Sequence, residues 1–129
     1  MGAARLIAVK ASGAVSANGN SATFTNRDSR GIAFVVANTA GSGTSPTVTV
    51  KLQEYYPAAA AWVDVAGATT TAIAAGTPAT TTVVVYPGVT VAANAAVSRP
   101  LAKTWRIAWT IGGSATPTAT FSVDAALLP

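Results

Sequence analysis

The sequence predicts an all-β protein, an antiparallel β-sandwich or jelly roll of about eight strands with extended terminal arms. Three observations carry this expectation. Thr and Val are abundant, and both suit a pleated, half-buried surface. Apolar residues recur at every second position in several short stretches, while a 3.6-residue period is absent. Clusters of Gly, Pro, Asn and Ser separate those stretches, as turn chemistry requires.

Taken in order, residues 6–15 form the first apolar segment. Asn18-Gly19, between it and residues 21–26, is a two-residue hairpin signal, so residues 1–20 read as an N-terminal arm or hairpin. Ile32, Phe34 and Val36 alternate with Ala33, Val35 and Ala37 and predict a strand buried on one face. Residues 38–46 read as a Gly/Ser/Thr turn. Across 47–55, Val48, Val50 and Leu52 face one way and Thr47, Thr49, Lys51 and Gln53 the other. Trp62-Val63-Asp64-Val65 and residues 80–86 are further strands. Residues 87–103 do not alternate and form the one long loop, of the kind that often carries function. Trp105, Ile107, Trp109 and Ile111 make an apolar row with core spacing, and a last strand covers 118–124 after a Gly112-Gly113 turn.

The stretch from Gly41 to Thr49 is echoed from Gly112 to Thr120, at an offset of 71 residues. Phe34 and Val36 correspond to Trp105 and Ile107 in the same frame. Duplication and convergent hairpin chemistry both produce such an echo. The second is favoured here, because solenoid repeats recur more than twice.

Composition excludes more than it identifies. The 129 residues suit a single domain, 1–129, which can bury a core without metal or disulfide. Only 9% are charged, against about 25% in ordinary soluble domains. There is no Cys and no His, which removes thiolate nucleophiles, the usual zinc ligands and the usual base for a serine nucleophile. The acids are Asp28, Glu54, Asp64 and Asp124. No enzyme activity, cofactor or metal is expected. The cations, which give a net charge of +4, are scattered, whereas nucleic-acid binders show a basic stripe or patch. The apolar stretch at residues 6–9 ends at Lys10, too short for a secretion signal, and no segment reaches membrane-spanning length. Neither nucleic acid nor membrane is an expected partner.

Two constellations hold residue types capable of chemistry. Glu54 and Asp64 flank a strand pair, as a glycosidase couple would. The simpler reading is solvated strand positions or ion pairs with Lys51 or Arg106, offset in register to avoid repulsion. Tyr55, Tyr56 and Trp62 surround the same hairpin, where packing or protein contact is the first reading and a glycan platform the second. Residues 26–31 hold the densest charge cluster and read as a turn with local Asp–Arg pairing.

The runs Gly43–Glu54, Trp62–Gly67 and Trp105–Gly113, with Pro117–Val123, resemble small structural proteins of bacteriophage heads and tails, in particular capsid decoration proteins. That resemblance implies a non-enzymatic virion protein, made in the host cytoplasm, that binds the outside of an assembled shell and stabilises it. Its implied partners are the major capsid protein and itself, as a dimer or trimer. A carbohydrate-binding or host-adhesion module of a phage particle is the alternative. Candidate contacts to the capsid or another partner are Arg5, Lys10, Arg27, Arg30, Arg99 and Lys103, from the N-terminal arm, the charged turn and the long loop.

Overall fold

Two strands of unusual length organise the chain in the computed structural model, which describes residues 5–129. The elements are β1 (Arg5–Val15), β2 (Gly19–Asn20), β3 (Phe24–Thr25), β4 (Gly31–Tyr56), β5 (Ala61–Thr69), β6 (Ile73–Ala74), β7 (Ala79–Val85), β8 (Ala96–Val97) and β9 (Thr104–Leu128). The described residues are all-β, with no helix among them. Strands β4 and β9 span 26 and 25 residues, several times the usual strand length. They pair antiparallel almost throughout, from Gly31↔Leu128 to Glu54↔Trp105. The sheet runs β1-β9-β4-β7-β8, with β2 and β3 also on β9, and β5 and β6 also on β4. Among the described residues, only the short β7–β8 pairing is parallel.

This single sheet is doubled over. One half of the β4/β9 ribbon, residues 31–42 with 118–128, carries β1 and β7. The other half, 47–56 with 104–112, carries β2, β3, β5 and β6. Phe34, Val36, Phe121 and Val123 of the first half are 0% exposed, as are Val48, Val50, Leu52, Trp105 and Ile107 of the second. All belong to one core cluster. A flat sheet without covering helices wets both faces, so full burial in both halves requires that they face each other. The far ends of the ribbon are tied by a backbone bond, Leu101 N donating to Arg30 O (3.0 Å), and Asn26 N donating to Lys103 O (2.6 Å) extends the β3–β9 ladder beside it. The arrangement is sandwich-like, with two layers continuous through their central strands.

The bend corrects the turn assignments. Residues 38–46 and 112–117 are not hairpin turns, because β4 and β9 run through them side by side. Pairing there is irregular, with register shifts between Asn38 and Ala40, Ser42 and Thr44, and Thr44 and Thr47. Gly43 (φ 97°), Ser45 (48°), Gly113 (116°), Ala115 (55°) and Thr116 (54°) occupy the left-handed side of conformational space. The two bends pack reciprocally. A Cβ on Gly43 would lie 2.8 Å from Pro117 Cα, and one on Gly113 would lie 3.1 Å from Pro46 Cα. The Gly/Pro chemistry that marks a turn thus serves here to fold two strands together.

The sequence echo acquires a geometric meaning. Val36 pairs with Val123, and the same offset carries that pair onto Ile107 and Leu52, which also pair. Phe34↔Ala125 is carried onto Trp105↔Glu54 in the same way. The two halves of the ribbon are therefore related by an approximate two-fold axis through the bend. Neither Gly-rich run closes a hairpin, so the echo marks the shared bend of two paired strands and not two separate turns.

Both termini are extended, and both are built into the sheet. Residues from Arg5 to Val15 pair with β9 from Leu127 back to Ala119, and Val9 is part of the core. Asn18-Gly19 does not close a hairpin either. β1 pairs with the C-terminal part of β9 and β2 with its N-terminal part, Gly19 opposite Trp109. The segment between them crosses from one half of the sheet to the other, and Asn18 Oδ1 accepts a hydrogen bond from Ile111 N (2.9 Å). Residues 1–4 of the expected arm lie outside the described residues. The 87–103 segment is mostly irregular but contributes β8 to the sheet.

Candidate docking pole and outer face

Glu54 follows Val48, Val50 and Leu52 on the inward-facing parity of β4 and is 0% exposed. The expectation of a solvated strand position fails here, as does pairing with Lys51 or Arg106. Burying an unpaired carboxylate is prohibitive, and three donors meet this one. Arg99 Nη2 lies 2.5 Å from Oε1, Ala102 N donates to Oε2 at 2.9 Å, and Tyr56 OH reaches Oε1 at 3.4 Å. Arg99 and Ala102 belong to the 87–103 loop, so Glu54 anchors that loop to the ribbon.

Asp64 is on the opposite face. The register sets Gln53 against Asp64 and Glu54 against Val63, so the two carboxylates are neither opposed nor on one surface. No glycosidase couple exists in this arrangement. Asp64 accepts from Lys51 Nζ (2.9 Å) and Gln53 Nε2 (2.8 Å), and those two bonds hold its carboxyl below the ordinary range. Gln53 Oε1 in turn accepts from Arg106 Nε (2.8 Å), and the Arg106 guanidinium lies 4.3 Å from the centre of the Trp62 ring. Tyr55 stands edge-on to Trp62 at 5.3 Å. A connected row of polar side chains therefore crosses β5, β4 and β9 on the outer surface, with two partly exposed aromatics beside it.

The six candidate contact residues divide into two groups. Lys10 Nζ is held by the carbonyls of Ala11, Gly13 and Phe121 (3.1, 3.3 and 2.8 Å) and sits 4.2 Å from the Phe121 ring centre. Burial lowers its pKa. It closes the irregular pairing of β1 with β9, where the register shifts on both sides of it. Arg99 is committed to Glu54. The other four, Arg5, Arg27, Arg30 and Lys103, are exposed, and none forms an ion pair among the described residues.

The fold gathers these four at one end. Arg5 is opposite Leu127, beside the Gly31↔Leu128 pair that Arg30 precedes. Arg27 and Lys103 line one shallow cavity of about 540 Å³ together with Thr25, Asn26 and Leu101. Asn26 stabilises this corner: its Nδ2 donates to Ser29 O and Leu101 O, and its Oδ1 accepts from Ser29 N. The expected turn at 26–31 is thus present, pinned by Asn26 rather than by Asp–Arg pairing. The opposite end, at the bends, carries no charged residue from position 39 to 46 or from 112 to 118. Linear sequence showed the basic residues as scattered because the ribbon alone brings residues 5, 27, 30 and 103 to one pole.

Comparison with known proteins returns no matching family, no matching curated protein and no matching solved structure.

Proposed function

We propose that the chain is a non-enzymatic structural protein of a bacteriophage particle, a capsid decoration protein that binds the outside of the assembled shell and stabilises it. The observation that carries this reading is the pole that gathers four exposed cations, Arg5, Arg27, Arg30 and Lys103, outnumbering the exposed Asp28 in the turn between them, at the end opposite the uncharged bends. Such a pole suits an acidic protein surface, here the major capsid protein. A surface of Thr, Ser, Ala and Gly offers little repulsion to close neighbours. Self-association into dimers or trimers about a symmetry axis multiplies a modest contact into avidity. Binding the assembled shell alone stabilises it by mass action. The place of action is then the virion.

The test is co-sedimentation of the purified chain with empty shells of the phage that encodes it. The full chain should pellet with shells, less so as salt rises. A variant carrying Arg27→Glu and Lys103→Glu should stay in the supernatant while keeping its β circular dichroism. Shell binding that is absent, or indifferent to those substitutions and to salt, overturns the reading.

A further inference from the structure

The outer face of β4, β5 and β9 is built differently from the pole, and its side chains take no part in docking through the cations at residues 5, 27, 30 and 103. We propose that this face, centred on Lys51, Gln53 and Arg106, is a binding site for an oligosaccharide.

The polar groups are fixed before any ligand arrives. Lys51 and Gln53 hold Asp64 from two sides, Gln53 holds Arg106, and Arg106 rests on Trp62. Among the described residues, Arg106 uses only Nε in hydrogen bonding and Lys51 Nζ only its bond to Asp64. The guanidinium's terminal nitrogens and two ammonium protons are left to bind oxygen. Asp64 retains acceptor capacity on both carboxylate oxygens. Vicinal hydroxyls of a sugar present adjacent donors and acceptors that such a mixed row satisfies. Fixing the row in advance also reduces the ordering cost of binding.

The surface is hollowed on both sides of Lys51. One hollow, about 430 Å³, is walled by Thr49, Asp64, Gly67, Thr69 and Thr110. It opens because β5 departs from β4 between Lys51↔Thr69 and Gln53↔Asp64, with Gly67 at φ 82° in the detour. The other, about 250 Å³, is walled by Asn18, Asn20, Gln53, Trp109 and Thr110. Trp109 contributes only to the wall of this hollow, since its indole is turned to the inner face against Phe121. Two hollows that share Lys51 and Thr110 suit consecutive sugar units. Tyr55 and Trp62, with ring surface partly exposed, supply the apolar contact that the C–H face of a pyranose needs.

Other ligand classes fit less well. A peptide adding to the sheet would pair along the free edge of β5 and leave Gln53 and Arg106, on the central strands β4 and β9, without a backbone partner. A phosphate needs converging positive charge, and Lys51 is already neutralised by Asp64.

The experiment is an NMR titration of the full chain with the methyl glycosides of glucose, galactose, mannose and N-acetylglucosamine and with maltotriose, isomaltotriose and chitotriose. The expected result is saturable shifts of the Trp62 indole and Gln53 amide signals by at least one of these sugars, with trisaccharides binding more tightly than monosaccharides. Gln53→Ala and Arg106→Ala should each weaken that binding about tenfold or more, equivalent to ~1.4 kcal/mol. Both variants should keep wild-type shell co-sedimentation, so the outcome for the face is separate from the outcome for the pole. No saturable shift with any of the seven sugars, or shifts that survive both substitutions, overturns the proposal.

Discussion

Glu54 and Arg99 form an ion pair in which the carboxylate is 0% exposed while the guanidinium side chain keeps 35% of its surface in water. The pair is therefore asymmetric, since the acid depends on its partner far more than the base does. Arg99→Ala should strand a buried carboxylate and destabilise the protein by about 3 kcal/mol, the low end for a broken buried pair because water can partly replace Arg99. Arg99→Ala combined with Glu54→Gln should recover part of that loss, since a neutral amide costs less to bury than a charge. Urea denaturation of the wild type and the two variants measures both quantities.

The two tryptophans of β9 should separate in energy. Trp105 is 0% exposed and stacked on Phe24 at 4.8 Å. Trp109 is only partly buried, against Phe121 at the flank of the core. Trp105→Ala should cost about 3–5 kcal/mol and Trp109→Ala about half as much. Equal losses in chemical denaturation would contradict the placement of Trp109.

Glycine is required at the bend and dispensable at position 76. Gly113→Val places a Cβ against the carbonyls of Ser45 and Thr44 at 2.9 and 3.0 Å, at a φ of 116°. It should lower stability by more than about 1 kcal/mol. Gly76→Ala meets nothing within 4 Å and should change stability by less than about 0.5 kcal/mol. Thermal melts of the two variants make the comparison.

Asp64 gives a pH prediction with a definite sign. Its carboxyl is lowered in the fold by Gln53 and Lys51 from a reference of 3.8. Stability from this group is thus present above about pH 4 and lost as pH falls through the lowered value. Because the side chain is 55% exposed, the contribution is screened and small. Asp64→Asn should lower stability slightly and by an even amount from neutral to alkaline pH, and flatten the acid limb of the profile, where the two proteins converge. Denaturation midpoints collected from neutral pH down to about pH 2 test this, and a change confined to the alkaline side would contradict it.

Much of the fold was legible because alternation reports burial directly. Val48, Val50 and Leu52 are inward as expected, and so are Phe34, Val36, Trp105 and Ile107. The same parity would have placed Glu54 inside, but a lone carboxylate is ordinarily a surface residue. Its partner Arg99 lies in a segment with no pattern to relate them. The Gly/Ser/Pro runs at 41–46 and 112–117 misled for a physical reason. Left-handed residues and close backbone approach serve a bend between paired strands as well as a hairpin, and local composition cannot separate the two. The 71-residue echo held the distinguishing information, since it matched two strands that pair with each other. The polar row of the outer face was visible only in fragments, because Lys51, Gln53, Asp64 and Arg106 come from three strands whose register the sequence does not display.

The doubled ribbon also determines how this chain must fold. Its central ladder joins Gly31 to Leu128 and Glu54 to Trp105, so no rung forms until distant parts of the chain have met. β1 closes an even wider loop, pairing Arg5 with Leu127. Pairing at such separations incurs its loop-closure entropy before contacts repay it, which slows folding to the millisecond-to-second range typical of non-local β topologies. Neither layer possesses a complete set of strands until β9 is present. A nascent chain that lacks β9 has β4 without its main partner and the Val48–Leu52 face open to solvent. Refolding should accordingly be a single concerted event at full length, with no stable half-molecule.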